Sequence, residues 1–166
     1  MTDKNTHADG LRDHDTDAGP IRLLLVDCQP AARRGLKMRL ALEDLEVVGE
    51  ACDAAEAIPL AQAVRPDVIL MDVEIPGVSG DAAIEGLRAT APHSALVILT
   101  LRDAAATQEQ AREAGAAAFI ARHRKEGILL AAIKGVAGAN AKHRPHERAS
   151  ASREEHKDAM RDHRGA

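Results

Sequence analysis

Five short apolar runs alternate with longer amphipathic stretches along the middle of the chain. The runs occupy residues 21–26, 45–49, 68–71, 95–99 and 117–121. Short runs rich in Val, Ile and Leu and bounded by turn residues are typical of buried strands. The stretches between and after them carry apolar residues at helical spacing. The pattern therefore predicts five strands that alternate with five helices.

Five helices are predicted. In chain order they cover residues 30–43, residues 53–64, a stretch that begins near residue 80, residues 103–115 and residues 125–136. Pro59 lies inside the second of them and predicts a kink or a later start, because proline removes a backbone hydrogen bond. Gly115 can end the fourth helix. The last helix carries one apolar stripe, formed by Ile128, Leu129, Ala132, Ile133 and Val136.

Strict alternation of strand and helix is typical of a parallel sheet covered on both faces. Right-handed crossovers leave few topologies. We therefore predict an α/β fold of the flavodoxin-like type, a doubly wound five-stranded parallel sheet of order 2-1-3-4-5 with five helices. Its crevice lies between strands 1 and 3. These strands end in Asp27 and Asp72, so two carboxylates are expected to converge at one edge of the sheet.

The chain has 166 residues, which suits one domain with tails. Residues 1–20 hold five Asp and almost no large apolar residue, and predict a disordered leader. Residues 21–139 form the predicted domain. Residues 140–166 are rich in both charges and predict a disordered or marginally helical tail, too short and polar for an output module.

Composition narrows the classes of partner. The chain has one Phe, no Tyr, no Trp and a net charge of −4, so nucleic-acid binding is not expected. Its two cysteines do not form a CxxC motif, and a reducing compartment is the default. No apolar run is long enough to span a bilayer, and no secretory signal is evident. A soluble cytoplasmic protein without a membrane partner is predicted.

Several motifs connect these elements to a known family. They are LLLVDCQP, VVGEA, RPDVILMDVEIPGVSG, LVILT and EAGAAAFIARHRKEG. In order and spacing, residues 21 to about 138 resemble the receiver domain of two-component response regulators, most closely the receivers of LuxR-type regulators. The resemblance implies a CheY-like fold, which agrees with the topology predicted from the pattern.

The resemblance also implies roles for individual residues. Asp72 corresponds to the phosphoacceptor, and Pro76-Gly77 to the turn that follows it. Asp27, Asp72 and the backbone carbonyl of Glu74 correspond to ligands of Mg²⁺. Thr100 corresponds to the hydroxyl that meets the phosphoryl group, and Phe119 to the switch aromatic. Outside that context, Thr100 could simply end a strand and Phe119 could be ordinary core.

Two positions depart from the family pattern. Cys28 stands where the second acid of the metal site is expected, and Arg122 stands in place of a lysine. A thiol is a poor ligand for an ion as hard as Mg²⁺, so weaker metal binding is predicted. Arg122 keeps the positive charge expected to face the phosphoryl group, but a planar guanidinium is wider than an ammonium.

The first functional hypothesis is a single-domain response regulator. A histidine kinase or phosphotransfer protein would phosphorylate Asp72, and a downstream protein or a second copy would read the change. Such a protein is not an enzyme in the ordinary sense, although it can catalyse its own phosphorylation and dephosphorylation. The alternative is a pseudo-receiver, whose degenerate metal site leaves it as a phosphorylation-independent docking or dimerisation module.

Three further hypotheses concern Cys and His. Cys28 could act as the nucleophile of a small α/β enzyme, with His123 as base. Cys28 and Cys52 follow neighbouring strands and could form a redox pair. The tail histidines could bind a transition metal, although their spacing is more typical of a solvated tail. These are His143, His146, His156 and His163.

Overall fold

The computed structural model describes residues 19–75, 77, 79–100, 105–122 and 126–141. Its elements follow the predicted alternation. They are β1 (Ile21–Val26), α1 (Pro30–Leu40), β2 (Leu45–Ala51), α2 (Ala54–Val64), β3 (Val68–Asp72), α3 (Gly80–Thr90), β4 (Ala95–Thr100), α4 (Ala105–Ala114), β5 (Ala118–Ala121) and α5 (Glu126–Ala141).

The five strands form one parallel sheet of order β2-β1-β3-β4-β5. This confirms the predicted fold class and strand order. In the centre, β1 pairs with β3 from Leu23↔Val68 to Val26↔Met71. The residue after Val26 and the residue after Met71 therefore lie side by side at the carboxyl edge, where the register places Asp27 and Asp72.

Two apolar cores cover the two faces of the sheet, because side chains of a strand point alternately to opposite faces. Leu24 and Val26 belong to the core beneath α2, α3 and α4. Leu23 and Leu25 belong to the core beneath α1 and α5. The central strand β3 is buried along its whole length. Two-sided coverage explains why its apolar residues form a continuous run instead of alternating.

Helix α2 begins at Ala54 despite Pro59 in its middle. Its start is fixed by reciprocal caps. Asp53 accepts a hydrogen bond from the backbone N–H of Glu56 at 2.9 Å, and the Glu56 carboxylate accepts one from the N–H of Cys52 at 2.8 Å. The later start predicted from Pro59 is therefore wrong.

Other helix boundaries differ from the predictions because tertiary contacts decide them. Helix α1 ends at Leu40 instead of residue 43, and residues 41–44 form turns. Helix α5 runs to Ala141, five residues beyond the prediction, and the Asn140 amide donates to the carbonyl of His93 at 3.0 Å. Ile133 of its predicted stripe is buried, whereas Ile128 is 46% exposed.

Gly115 ends α4 as predicted, in a backbone conformation with φ +104°. The N–H of Ala116 donates back to Ala111 at 2.8 Å. A Cβ at position 115 would lie 2.5 Å from the guanidinium side chain of Arg88, which itself donates to the Gly115 carbonyl at 2.7 Å. The φ value favours glycine here, and any larger residue would also displace the flexible Arg88 side chain from this contact.

Several predictions fall on residues outside the described part of the chain. They concern residues 1–18 of the leader, residues 142–166 of the tail, Pro76, Asp103, His123 and Lys125. Within the described residues, no helix combines the length and apolarity that crossing a membrane requires.

Candidate functional site

Asp27 and Asp72 are buried acids at the carboxyl ends of β1 and β3. Their exposed fractions are 3% and 6%. Each carboxylate is held by a backbone N–H two residues further along: Gln29 donates to Asp27 Oδ1 at 2.8 Å, and Glu74 donates to Asp72 Oδ1 at 3.0 Å. Such local turns are typical of Asp. Both carboxylates are therefore fixed in orientation by their own loops.

Arg122 joins the two acids from the end of β5. Its Nη2 lies 2.5 Å from Asp27 Oδ2 and 2.8 Å from Asp72 Oδ2. The backbone of Arg122 is anchored by an N–H bond to the carbonyl of Thr100 at 2.7 Å. Each of the four carboxylate oxygens thus accepts one hydrogen bond, two from backbone and two from the guanidinium.

The charge balance explains why Arg122 lies there. Two carboxylates buried side by side repel each other, and one cation between them offsets that repulsion. The Arg122 side chain is 20% exposed. Its Nε is buried and has no hydrogen-bond partner among the described residues. The Nε–H of Arg122 is therefore a buried donor that none of the described residues satisfies.

Thr100 and Phe119 lie on the two strands beyond Asp72. Thr100 is 1% exposed and follows Leu99, the register partner of Asp72. Phe119 is half-buried and packs against the core beneath α2, α3 and α4. Its surroundings are those of a core side chain, and a switch role stays a prediction.

The predicted metal-ligand positions are only partly grouped as expected. Glu74 is exposed, and its N–H donates to Asp72 Oδ1. The role of its carbonyl as a metal ligand stays a prediction. Cys28 follows Asp27 directly and is a half-buried free thiol. Among the described residues, no group of three His, Cys, Asp or Glu side chains is arranged to hold a metal ion.

The second cysteine shows no sign of a ready nucleophile. Cys52 is also a half-buried free thiol. Burial, followed by the negative charge that a Cys28 thiolate would add, raises the pKa of Cys52 above its ordinary value. A raised pKa lowers the thiolate fraction on which disulfide exchange depends. The redox pair stays a hypothesis without support from this geometry.

Arg33 is a site residue that the sequence reasoning missed. It donates from Nη1 to the backbone carbonyl of Asp27 and from Nε to Glu50 at 3.3 Å. Lys37 donates to the same carboxylate at 2.5 Å. Hydrogen bonds from Lys37 and Arg33 lower the pKa of Glu50. The sequence did contain a feature that could have indicated this contact: basic residues on α1, Arg33 and Lys37 among them, and the acid Glu50 near the end of β2.

A cavity of about 390 Å³ borders Arg122. Small residues of α1 line one wall, among them Ala31 and Gly35, and Leu129 of α5 lines another. Arg122 therefore contributes both to the acidic crevice and to the space between α1 and α5.

The family of the chain follows from comparison with known proteins. Residues 23–134 match the family of response regulator receiver domains. The chain belongs to this family. Receiver domains are signalling proteins of two-component systems, typically phosphorylated on an aspartate.

Named relatives agree with this membership. The chain is 36% identical over 119 residues to the nitrate/nitrite response regulator protein NarP of Escherichia coli, covering 71% of this chain and 55% of that protein. It is 36% identical over 136 residues to the transcriptional regulatory protein PdtaR of Mycobacterium tuberculosis H37Rv, covering 81% and 62%. The chain thus spans little more than half the length of these relatives.

Solved receivers share the architecture. The signal receiver domain of a response regulator NarL from Mycobacterium tuberculosis matches with a TM-score of 0.68 at 30% identity, covering 73% of this chain and 98% of that one. A LuxR-family response regulator from Aurantimonas sp. SI85-9A1 matches with a TM-score of 0.68 at 30% identity, covering 72% and 86%. These findings confirm the resemblance predicted from the motifs.

Proposed function

We propose that the chain is a phosphorelay receiver whose phosphoacceptor is Asp72. The observation that supports this best is the setting of the Asp72 carboxylate. It lies at the mouth of the sheet, oriented by the Glu74 N–H, with Arg122 2.8 Å from its other oxygen and a second acid beside it. Membership of the receiver family makes phosphoryl transfer the chemistry that suits this arrangement.

The reaction would be a single displacement at phosphorus. A carboxylate oxygen of Asp72 forms a P–O bond while the P–N bond of a donor phosphohistidine, or the P–O bond of acetyl phosphate, breaks. The leaving imidazole takes up a proton from water. The product is a mixed anhydride. Its phosphoryl group carries about two negative charges at neutral pH and replaces the single charge of the carboxylate, so the crevice gains about one negative charge.

The chain's own residues would position and neutralise that group. Arg122 would turn part of its guanidinium from the carboxylates to the phosphoryl oxygens, since such groups favour planar cations. The Thr100 hydroxyl would donate to one of the same oxygens, and its movement would leave space for Phe119. Receiver domains generally use Mg²⁺ to neutralise the phosphoryl group.

The donor would dock over α1. Met38 of α1 is 74% exposed, and Leu42, in the turn that follows the helix, is 86% exposed. Ala31, Gly35 and Met38 are exposed on one face of α1, because positions three to four apart share a face of a helix. Arg34 and Arg39 are exposed nearby. An acidic amphipathic helix of a histidine kinase or phosphotransfer protein has the matching chemistry.

The output would pass through protein contacts. Response regulators interact with histidine kinases and with downstream targets. For this chain we propose a downstream protein, or a second copy, that reads the surface of α4, β5 and α5. The single-domain organisation and the cytoplasmic location predicted from the sequence stay predictions, and no finding favours the phosphorylation-independent module.

Intact-mass measurement after incubation with Mg²⁺ and acetyl phosphate tests the proposal. The wild-type chain should gain one phosphoryl group, with and without a kinase. Asp72→Asn should gain none. Asp81→Asn, which changes an exposed acid on α3, is the matched control and should behave as wild type. No adduct on the wild-type chain from acetyl phosphate or a cognate donor would overturn the proposal.

A further inference from the structure

We infer that Arg122 occupies the place of the divalent cation in the resting receiver, so that Mg²⁺ and the guanidinium compete for the same pair of acids. The inference deepens the proposed function and rests on it for its biological meaning. The binding competition itself requires only the geometry of the described residues.

The first support is the occupancy of the carboxylate oxygens. Both Oδ2 atoms face one nitrogen of Arg122, at 2.5 and 2.8 Å. Both Oδ1 atoms are bound by backbone N–H groups of Gln29 and Glu74. Each Oδ1 keeps a second acceptor site, but a cation that bridges Asp27 and Asp72 through their Oδ2 atoms must take the position that Nη2 occupies. It can do so only if Nη2 leaves.

The second support is the number of acids. With Cys28 in place of a carboxylate, the described part of the crevice holds two acids, Asp27 and Asp72, and Arg122 already offsets one of those charges. Mg²⁺ takes oxygen ligands, and a thiol contributes little to its binding. A divalent ion that joins Arg122 there would therefore meet one uncompensated negative charge and a competing cation.

The third support is the space beside the Arg122 side chain, into which the guanidinium could move. Its Nε is buried without a partner among the described residues, and the side chain borders the cavity of about 390 Å³ between α1 and α5. A small outward turn would bring Nε to water or to an incoming anion. A phosphoryl group on Asp72 would supply such an anion and would raise the negative charge of the crevice. Mg²⁺ is thus expected to bind weakly at rest and more tightly once a phosphoryl group is present.

Calorimetric titration with MgCl₂ at low ionic strength tests the competition. Arg122→Gln should bind Mg²⁺ about tenfold or more tightly than the wild type, because a competing unit charge has been removed from within a few ångströms. Lys134→Gln is the matched control. It removes a cation that pairs with Glu43 on the surface, 2.6 Å away, and should leave Mg²⁺ affinity unchanged. Equal or weaker Mg²⁺ binding by Arg122→Gln would overturn the inference.

A second measurement uses the wild-type chain and does not depend on the variant folding. In a ¹⁵N spectrum, the Arg122 Nε–H should shift during Mg²⁺ titration with the same dissociation constant as the Glu74 backbone N–H. A Glu74 shift without an Arg122 shift would contradict displacement. Phosphorylation followed by intact mass separates the two proposals. If Mg²⁺ displaces Arg122 but no phosphoryl adduct forms, the competition is supported and the proposed phosphoacceptor role of Asp72 is overturned. If an adduct forms but Mg²⁺ does not displace Arg122, the phosphoacceptor role is supported and the competition is overturned.

Discussion

Arg122 Nη2 lies 2.8 Å from Asp72 Oδ2, although fifty residues separate the two along the chain. The contact is a consequence of strand order. Asp72 ends β3, Arg122 follows β5, and β4 lies between them. Because the same nitrogen also contacts Asp27, one side chain ties three strand ends together and sets the charge of the crevice.

Removal of Arg122 should destabilise the fold. Arg122→Ala leaves two carboxylates buried side by side, and we expect a loss of about 2–4 kcal/mol in the free energy of unfolding at pH 7. Urea denaturation followed by far-UV circular dichroism measures it, since the chain has no Trp or Tyr. The double variant Asp27→Asn, Arg122→Ala should recover part of the loss. Wild-type stability in Arg122→Ala would show that the pair does not act as described.

The Thr100 hydroxyl should matter for phosphorylation. Thr100 is 1% exposed, and Val has a similar shape without the hydroxyl. Thr100→Val should slow the acetyl phosphate reaction roughly tenfold, which corresponds to about 1.4 kcal/mol of barrier. Thr100→Ser keeps the hydroxyl and should react nearly as fast as wild type. If Val and Ser variants react equally fast, the hydroxyl has no part in the reaction.

The exposed side chains of Met38 and Leu42 should affect phosphoryl transfer from protein donors and not from small donors. Met38→Ser together with Leu42→Ser should slow transfer from a cognate histidine kinase or phosphotransfer protein by about tenfold, the effect of losing about 1.4 kcal/mol of docking energy. The rate with acetyl phosphate should not change, because a small donor needs no docking surface. Ala63→Ser, on the exposed side of α2, is the control. Equal loss with both donors would point to damage at the crevice instead.

Glu50 should contribute stability that depends on pH. Lys37 and Arg33 lower its pKa in the folded chain, so folding favours the ionised form. The contribution is present above the ordinary pKa of about 4.3 and is lost as pH falls through the lowered value. With a side chain 34% exposed, the two ion pairs should be worth about 0.5–1 kcal/mol together.

Comparison of Glu50→Gln with wild type measures that contribution. The difference in the free energy of unfolding should be largest near neutral pH and should shrink as pH falls below about 4. Glu46→Gln, an exposed acid on the same strand, is the control and should show little difference at any pH. A Glu50→Gln difference that grows on acidification would contradict the direction of the pKa shift.

The architecture could be predicted from the sequence because it depends on period and order. Apolar runs located all five strands, right-handed crossovers left few topologies, and the flavodoxin-like order, one of the two common solutions, placed the ends of the first and third strands side by side. That alone brought Asp27 and Asp72 together at one edge of the sheet. Helix ends were less predictable. Leu42 has the spacing of a further apolar position of α1, yet it is 86% exposed beyond the end of that helix.

The finer parts of the site depend on side-chain conformation, which periodicity does not encode. The sequence placed a cation near the phosphoacceptor, but not its contact with both acids. The hydrogen bond by which the Glu74 N–H orients Asp72 was not predicted, and the role of the Glu74 carbonyl stays a prediction. Arg33 on α1 donates a hydrogen bond to the backbone carbonyl of Asp27, six residues earlier in the chain. Nothing in the hydrophobic pattern indicates this hydrogen bond.

Chemical trapping of the phosphorylated residue tests the central claim most directly. Borohydride reduces an aspartyl phosphate to homoserine, and peptide sequencing by mass spectrometry then locates the modified position. After incubation of the wild-type chain with acetyl phosphate, we predict reduction at Asp72 and at no other acid. Reduction at Asp27 or elsewhere, or an unmodified Asp72 in a chain that has gained a phosphoryl group, would contradict the assignment of Asp72 as phosphoacceptor.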